Sequence, residues 1–257
     1  MLAGDILANS AARLPDKPAI VAGETVLTYA ELDRTANRIA HGLAAHGIGR
    51  AGRVAILSTN QADYPAIYFG TARSGAVIAH LSVRLTPGEL AHVLDRGDVS
   101  LLFVQSDFVD VVMGIRDRLP KLSTIVVFGG PPRSGALSLE GFLADRPVTP
   151  PEIDISPDDP FSITYTGGTT GFPKAVVVTH RARCNSSIIA GAEFGMLESD
   201  VMCCTTPLFH VAGLYVWFQT GILLGCTMVL LEKWDVADFH DGVERLGVSA
   251  AFMVPTQ

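Results

Sequence analysis

The sequence predicts an α/β fold: duplicated βαβαβ halves with mostly parallel sheets covered by helices. Three observations predict it. Short apolar, β-branched runs alternate with helical patterns, as in parallel strands joined by helical crossovers. The alternation occurs twice. YPAIYFGTARSGAVIAHL and VAGLYVWFQTGILLGCTMVLL each read as an apolar helix, a glycine and a strand. TPGELAHVLDRGDVSLLFV and DVADFHDGVERLGVSAAFMV each read as a capped amphipathic helix, a glycine and a strand. Third, a stretch rich in Pro, Gly and Asp, 129–159, lies between the two copies, so the halves are expected at 1–150 and 160–257.

The elements follow in order. Thr28-Tyr29-Ala30-Glu31 is a capping box, in which the Thr28 hydroxyl and Glu31 carboxylate each satisfy the other's free backbone amide. Leu32, Ala36, Ile39, Ala40 and Leu43 then share one helical face, and the helix should stop by Gly47. Arg53–Leu57 reads as a strand, Tyr64–Arg73 as a helix and Ala76–Ala79 as a strand. Thr86 and Glu89 form a second capping box, with Pro87 at the first helical position and an end near Gly97. A strand is expected at Leu101–Val104, a helix at Phe108–Leu119 and a strand at Thr124–Phe128. One helical turn, Leu139–Leu143, interrupts the border stretch. Further strands are expected at Phe161–Tyr165, Val176–Thr179, Val201–Thr205, Cys226–Leu231 and Ala250–Val254.

Val211 to Leu231 carries no charge and is long enough to be weighed as a membrane span. Gln219, Gly221 and Gly225 break it up, which favours a buried helix to Leu224, a stop at Gly225 and a buried strand. No integral membrane segment is expected.

Composition bounds the function. The 257 residues are 48% hydrophobic, enough for a large core, and the net charge of -7 offers no basic face for nucleic acid. A local loop in an acidic protein can still bind phosphate. Cys184, Cys203, Cys204 and Cys226 lack metal-ligand spacing and read as reduced core thiols of a cytoplasmic protein. The N-terminus is not a secretory signal, because Asp5 interrupts it and no basic region precedes an apolar run.

Residues 165–180, YTGGTTGFPKAVVVTH, carry the chemistry. Glycines let backbone amides approach phosphate oxygens, Thr166, Thr169 and Thr170 add hydroxyl donors, and Lys174 adds a cation. Phe172 and Pro173 separate Gly171 from Lys174, and strands are expected on both sides. A Walker A loop needs adjacent Gly-Lys opening a helix, so this loop is a different device. It lies between the halves, where ligands of open parallel sheets gather. Composition alone leaves a solvated surface hairpin as the alternative.

The stretch resembles the signature of the adenylate-forming superfamily, Tyr-Thr-Ser-Gly-Thr-Thr-Gly-x-Pro-Lys-Gly-Val, with Gly167 in place of the serine and Ala175 in place of a glycine. LTYAELDRTANRIAHGLAAHGIGRAGRVAIL, PLFHVAGL at 207–214 and MVPTQ at 253–257 resemble that family's other motifs in the expected order. The resemblance implies an acyl-CoA ligase of the acyl-CoA synthetase branch. It joins a carboxylic acid to ATP with Mg²⁺, releases pyrophosphate and passes the acyl group to CoA. It further implies nucleotide binding by Thr166, Gly167, Gly168, Thr169, Thr170, Gly171 and Lys174, catalytic roles for Lys174 and Thr166, and His210 on the acyl pocket. The metal ligands are unknown. His180 is expected to be structural, and Val211, Gly213, Leu214, Trp217 and Phe218 to pack in the core, the alternative being that they line an apolar tunnel. The family's Tyr-Gly-x-Thr-Glu segment, ribose-binding Asp and C-terminal domain have no counterpart before Gln257. The chain is therefore expected to be an incomplete N-terminal large domain, weak or inactive alone. The alternatives are a non-catalytic nucleotide-binding fragment or one half of a split enzyme.

Overall fold

The computed structural model describes residues 1–166 and 173–257. The chain begins with α1 (Ala3–Arg13), the hairpin β1 (Pro18–Ala22) and β2 (Thr25–Thr28), and α2 (Tyr29–Ala45). A first alternating run follows: β3 (Arg53–Leu57), α3 (Tyr64–Ser74), β4 (Val77–Leu81), α4 (Pro87–Arg96), β5 (Leu101–Gln105), α5 (Val109–Gly114) and β6 (Thr124–Phe128). The border stretch holds β7 (Leu137–Ser138) and α6 (Leu139–Leu143). Then come β8 (Pro160–Thr166), β9 (Lys174–Thr179) and α7 (His180–Phe194). The last run is β10 (Val201–Cys204), a π-helical segment (Ala212–Phe218), α8 (Gln219–Leu224), β11 (Thr227–Leu230), α9 (Val236–Leu246) and β12 (Ala250–Phe252).

Two sheets result among the described residues. One has the order β7-β6-β5-β3-β4-β8-β9, the other β12-β10-β11-β1-β2. Only β9 and β2 run antiparallel to their neighbours. The expected repeat appears in the strand order: β5-β3-β4 and β12-β10-β11 both place the third strand beside the first and the second on its far side. The sheets also exchange material along the chain. β1 and β2 join the sheet of the second run, while β8 and β9 extend that of the first.

Both capping boxes form. The Glu31 amide donates to Thr28 Oγ1 at 3.2 Å while the Thr28 amide donates to Glu31 Oε2 at 2.8 Å, and Thr86 and Glu89 repeat the pair at 3.3 and 2.8 Å. α3 is mostly apolar and lacks a polar face to solvent: all eleven of its residues are buried. It packs chiefly on α2, and Gly70 sets the approach, since a Cβ there would lie 2.4 Å from Ile39 Cβ. The charge on α3, Arg73, is held by Asp33 and by Asn37 Oδ1 at 2.6 Å. The largest core joins α1, α2, α3 and the π segment with inward residues of both sheets, such as Ile56 and Phe103 in one and Met202 and Met228 in the other. A second core lies under α4 and α5, a third under α9.

Several expectations are corrected. The helix expected over Phe108–Leu119 is broken into a 3₁₀ turn, the six-residue α5 and another 3₁₀ turn, because Val109, Val111, Val112 and Gly114 are poor helix formers. The buried helix expected before Gly225 begins as seven π-helical residues. Gly225 does stop it, at φ 89. No helix among the described residues is long and apolar enough to cross a membrane. All four cysteines are buried and free.

Candidate functional site

β8 runs parallel to β4, with Thr164 opposite His80, so it ends at the edge where the strands of its sheet have their C-termini. Here the chain leaves β8 and returns as antiparallel β9. The register places Thr166 directly opposite Lys174, so the two expected catalytic residues stand at the base of one hairpin. Gly167, Gly168, Thr169, Thr170 and Gly171 lie outside the described residues, as does the side chain of Thr166. The strand-loop-strand arrangement expected from Phe172-Pro173 is present on both sides. Lys174 and Ala175 are exposed.

A cleft of about 660 Å³ opens between the C-terminal ends of the two sheets. Asn60 follows β3, Arg84 follows β4, Asp107 follows β5, Phe209 follows β10 and Lys233 follows β11, and all line it. Loops at the carboxyl ends of parallel strands are where such sheets bind ligands.

His210 stands in the loop between β10 and the π segment, exposed, with its ring 4.7 Å from that of Phe209. Partial desolvation lowers its pKa, and the positive charge of Arg84 lowers it further. Both neighbours line the cleft, which places His210 at its edge. The loop is tight: a Cβ on Gly213 would lie 2.6 Å from the Pro207 carbonyl oxygen. Gly213, Leu214, Trp217 and Phe218 are buried as expected, whereas Val211 is 46% exposed and is not core.

His180 is fully buried as the first residue of α7. Its Nδ1 accepts the Ala3 amide at 3.2 Å, and its ring stacks on Phe161 at 4.8 Å. Burial depresses its pKa to about 4, against the opposing pull of Asp159 and Asp5. A second buried histidine, His80, pairs through Nδ1 with the Tyr64 hydroxyl at 2.7 Å, and burial pushes its pKa down to about 3. Nearby, Tyr215 of the π segment hydrogen-bonds Ser162 of β8 and lies 4.0 Å beneath the Arg183 guanidinium. Asn60, Tyr64 and Arg84 were not singled out from the sequence. The available signal was their place just after the strands at 53–57 and 77–81.

Residues 7–257 match the AMP-binding enzyme family. The chain belongs to that family. Among relatives of this AMP-binding chain, the 3-hydroxybenzoate–CoA ligase of Aromatoleum sp. (strain CIB) is 34% identical over 234 residues, 88% of this chain and 45% of the ligase. A fatty acid–[acyl-carrier-protein] ligase of Streptomyces coeruleorubidus is 33% identical over 94% of this chain and 46% of its own length. In structure, an anthranilate CoA ligase in complex with anthranoyl-AMP superposes with a TM-score of 0.95 at 25% identity, covering 100% of this chain and 50% of the ligase. The fold is thus that of the N-terminal domain of adenylate-forming enzymes, and the chain spans about half the length of the curated relatives it matches.

Proposed function

We propose that this AMP-binding chain supplies the phosphate grip and part of the acyl pocket for ATP-dependent activation of a carboxylic acid. The carboxylate attacks the α-phosphorus of ATP, the bond from α-phosphorus to the bridging oxygen breaks, and pyrophosphate departs. A thiol, that of CoA, then takes the acyl group and AMP leaves. The observation that carries this assignment is the Thr166–Lys174 register, which sets a hydroxyl residue and a cation across the mouth of a glycine-rich loop at the cleft end of β8. A cation beside the departing pyrophosphate stabilises charge that grows in the transition state. The amides and hydroxyls of Gly167, Gly168, Thr169, Thr170 and Gly171 complete the grip, and His210 borders the acid. Mg²⁺ would enter with ATP and supply charge neutralisation at its phosphates.

The division into halves at 1–150 and 160–257 of one incomplete large domain, and a cytoplasmic location, belong to the same proposal. Relatives are named for hydroxybenzoates and for fatty acids, so the assignment commits to a carboxylic acid and not to one member of the class. ATP–pyrophosphate exchange with a panel of aromatic and fatty acids tests it. In a chain that exchanges, Lys174→Ala should lower the rate roughly 10²-fold, and an unchanged rate removes Lys174 from the mechanism. ATP binding without exchange by this chain alone would favour the nucleotide-binding fragment or split-enzyme reading, as its half-length match to the ligases suggests.

A further inference from the structure

The loop that bears His210 closes its own turn, with the His210 amide donating to the Pro207 carbonyl at 3.0 Å, and it is also held by groups distant in sequence. The Leu208 amide donates to Asn60 Oδ1 at 2.7 Å, and the Leu208 carbonyl accepts from the Tyr64 hydroxyl at 3.4 Å. Asn60 also donates Nδ2 to the Thr206 carbonyl at 3.2 Å and to the Leu231 carbonyl at 2.9 Å. Asn60 is only 4% exposed, and Leu208 and Tyr64 are fully buried. One amide side chain after β3 thus uses its acceptor and its donors on backbone just beyond β10 and β11. Its position is fixed in turn: the neighbouring Thr59 amide donates to Gln105 Oε1 at 3.0 Å, at the end of β5. A carboxamide is the fitting group, because the site needs an acceptor and a two-proton donor a few ångströms apart.

We propose that Asn60 is a positioning residue for the acid side of the site, fixing the Pro207–His210 loop against the first sheet. The part that concerns substrate rests on the assignment of His210 to the acyl pocket. The part that concerns the loop does not. Removing the acceptor leaves a buried amide without a partner, and the loop should open locally, since each such buried group is expensive.

The test uses the full chain with Asn60→Ala. Leu208 amide exchange should rise roughly tenfold or more. The His210 ring, followed by NMR titration, should move toward the ordinary histidine pKa as it gains solvent. β3 and β6 amides and the His180 titration should stay at wild-type values. Unchanged Leu208 exchange and unchanged His210 titration overturn the proposal. So does a uniform rise across all amides, which marks a purely structural residue. If Asn60→Ala does not fold, Tyr64→Phe removes the hydroxyl that reaches the Leu208 carbonyl, and the same two readouts decide. In a chain that shows pyrophosphate exchange, KM for the acid should rise roughly tenfold in Asn60→Ala with KM for ATP unchanged. Equal rises in both KM values count against positioning. Absence of exchange in the wild-type chain would sink the proposed function while leaving the loop result standing.

Discussion

His180→Asn should make the protein less sensitive to mild acid. In the fold the imidazole is neutral: Nδ1 accepts the Ala3 amide, and the ring lies buried against Phe161. Its pKa is about 4 when folded, against an ordinary value of 6.5. Between those values the unfolded chain binds a proton that the folded one refuses. Stability from this group is therefore complete above pH 6.5 and is lost as pH falls toward 4. At pH 5 the loss amounts to about 2 kcal/mol relative to neutral pH. In a chain of this size that lowers Tm by roughly 4–8 °C. Asparagine places Oδ1 where Nδ1 stood, keeps the acceptor and does not titrate. Urea unfolding at pH 7 and pH 5 gives the measurement. The variant should lose about 2 kcal/mol less than wild type across that interval, whatever its stability at pH 7. Equal losses in the two proteins would refute the argument, as would an NMR titration placing His180 near 6.5.

Other outcomes follow from equally local features. Gly70→Val should destabilise by about 3 kcal/mol in chemical denaturation, because its side chain enters space held by Ile39 and the Ala36 carbonyl. Thr86→Ala should cost about 1 kcal/mol by loss of the cap on α4, and Thr86→Ser should restore most of it. His210→Ala should weaken acid binding in calorimetry while leaving ATP binding unchanged, since the residue follows the cleft-lining Phe209 and belongs to a different loop from the hairpin.

What the sequence made legible was what local chemistry decides. Thr28 with Glu31 and Thr86 with Glu89 announce helix starts because the cap partners lie three residues apart. Arg53–Leu57 and Thr124–Phe128 were read to the residue, because buried parallel strands are uniformly apolar. The hairpin on either side of Phe172-Pro173 was legible, but its strands reach Thr166 and Lys174, which the sequence pattern leaves in the loop. What escaped depends on distant partners. β1 is five residues long and is a strand because β11 and β2 flank it. The π geometry of Ala212–Phe218 arises where Gly213 is pressed against the Pro207 carbonyl, which no periodicity reveals. Asn60 looked like one polar residue in a loop, and its role appears only when β10 and β11 are brought beside it.

Ile20 of β1 pairs with Met228 of β11, and these two residues leave a ribosome far apart in time. At ~5–20 residues per second the interval is roughly 10–40 s. The strands of the other sheet all lie between Arg53 and Thr179, so that sheet can close while its companion is still being made. During the wait PAIVA has β2 beside it and α1 has α2 and α3 to pack on, while the edge of β1 that takes β11 and the face of α1 that takes α8 stay uncovered. Shortening the chain upstream of β11 would therefore harm its beginning as much as its end.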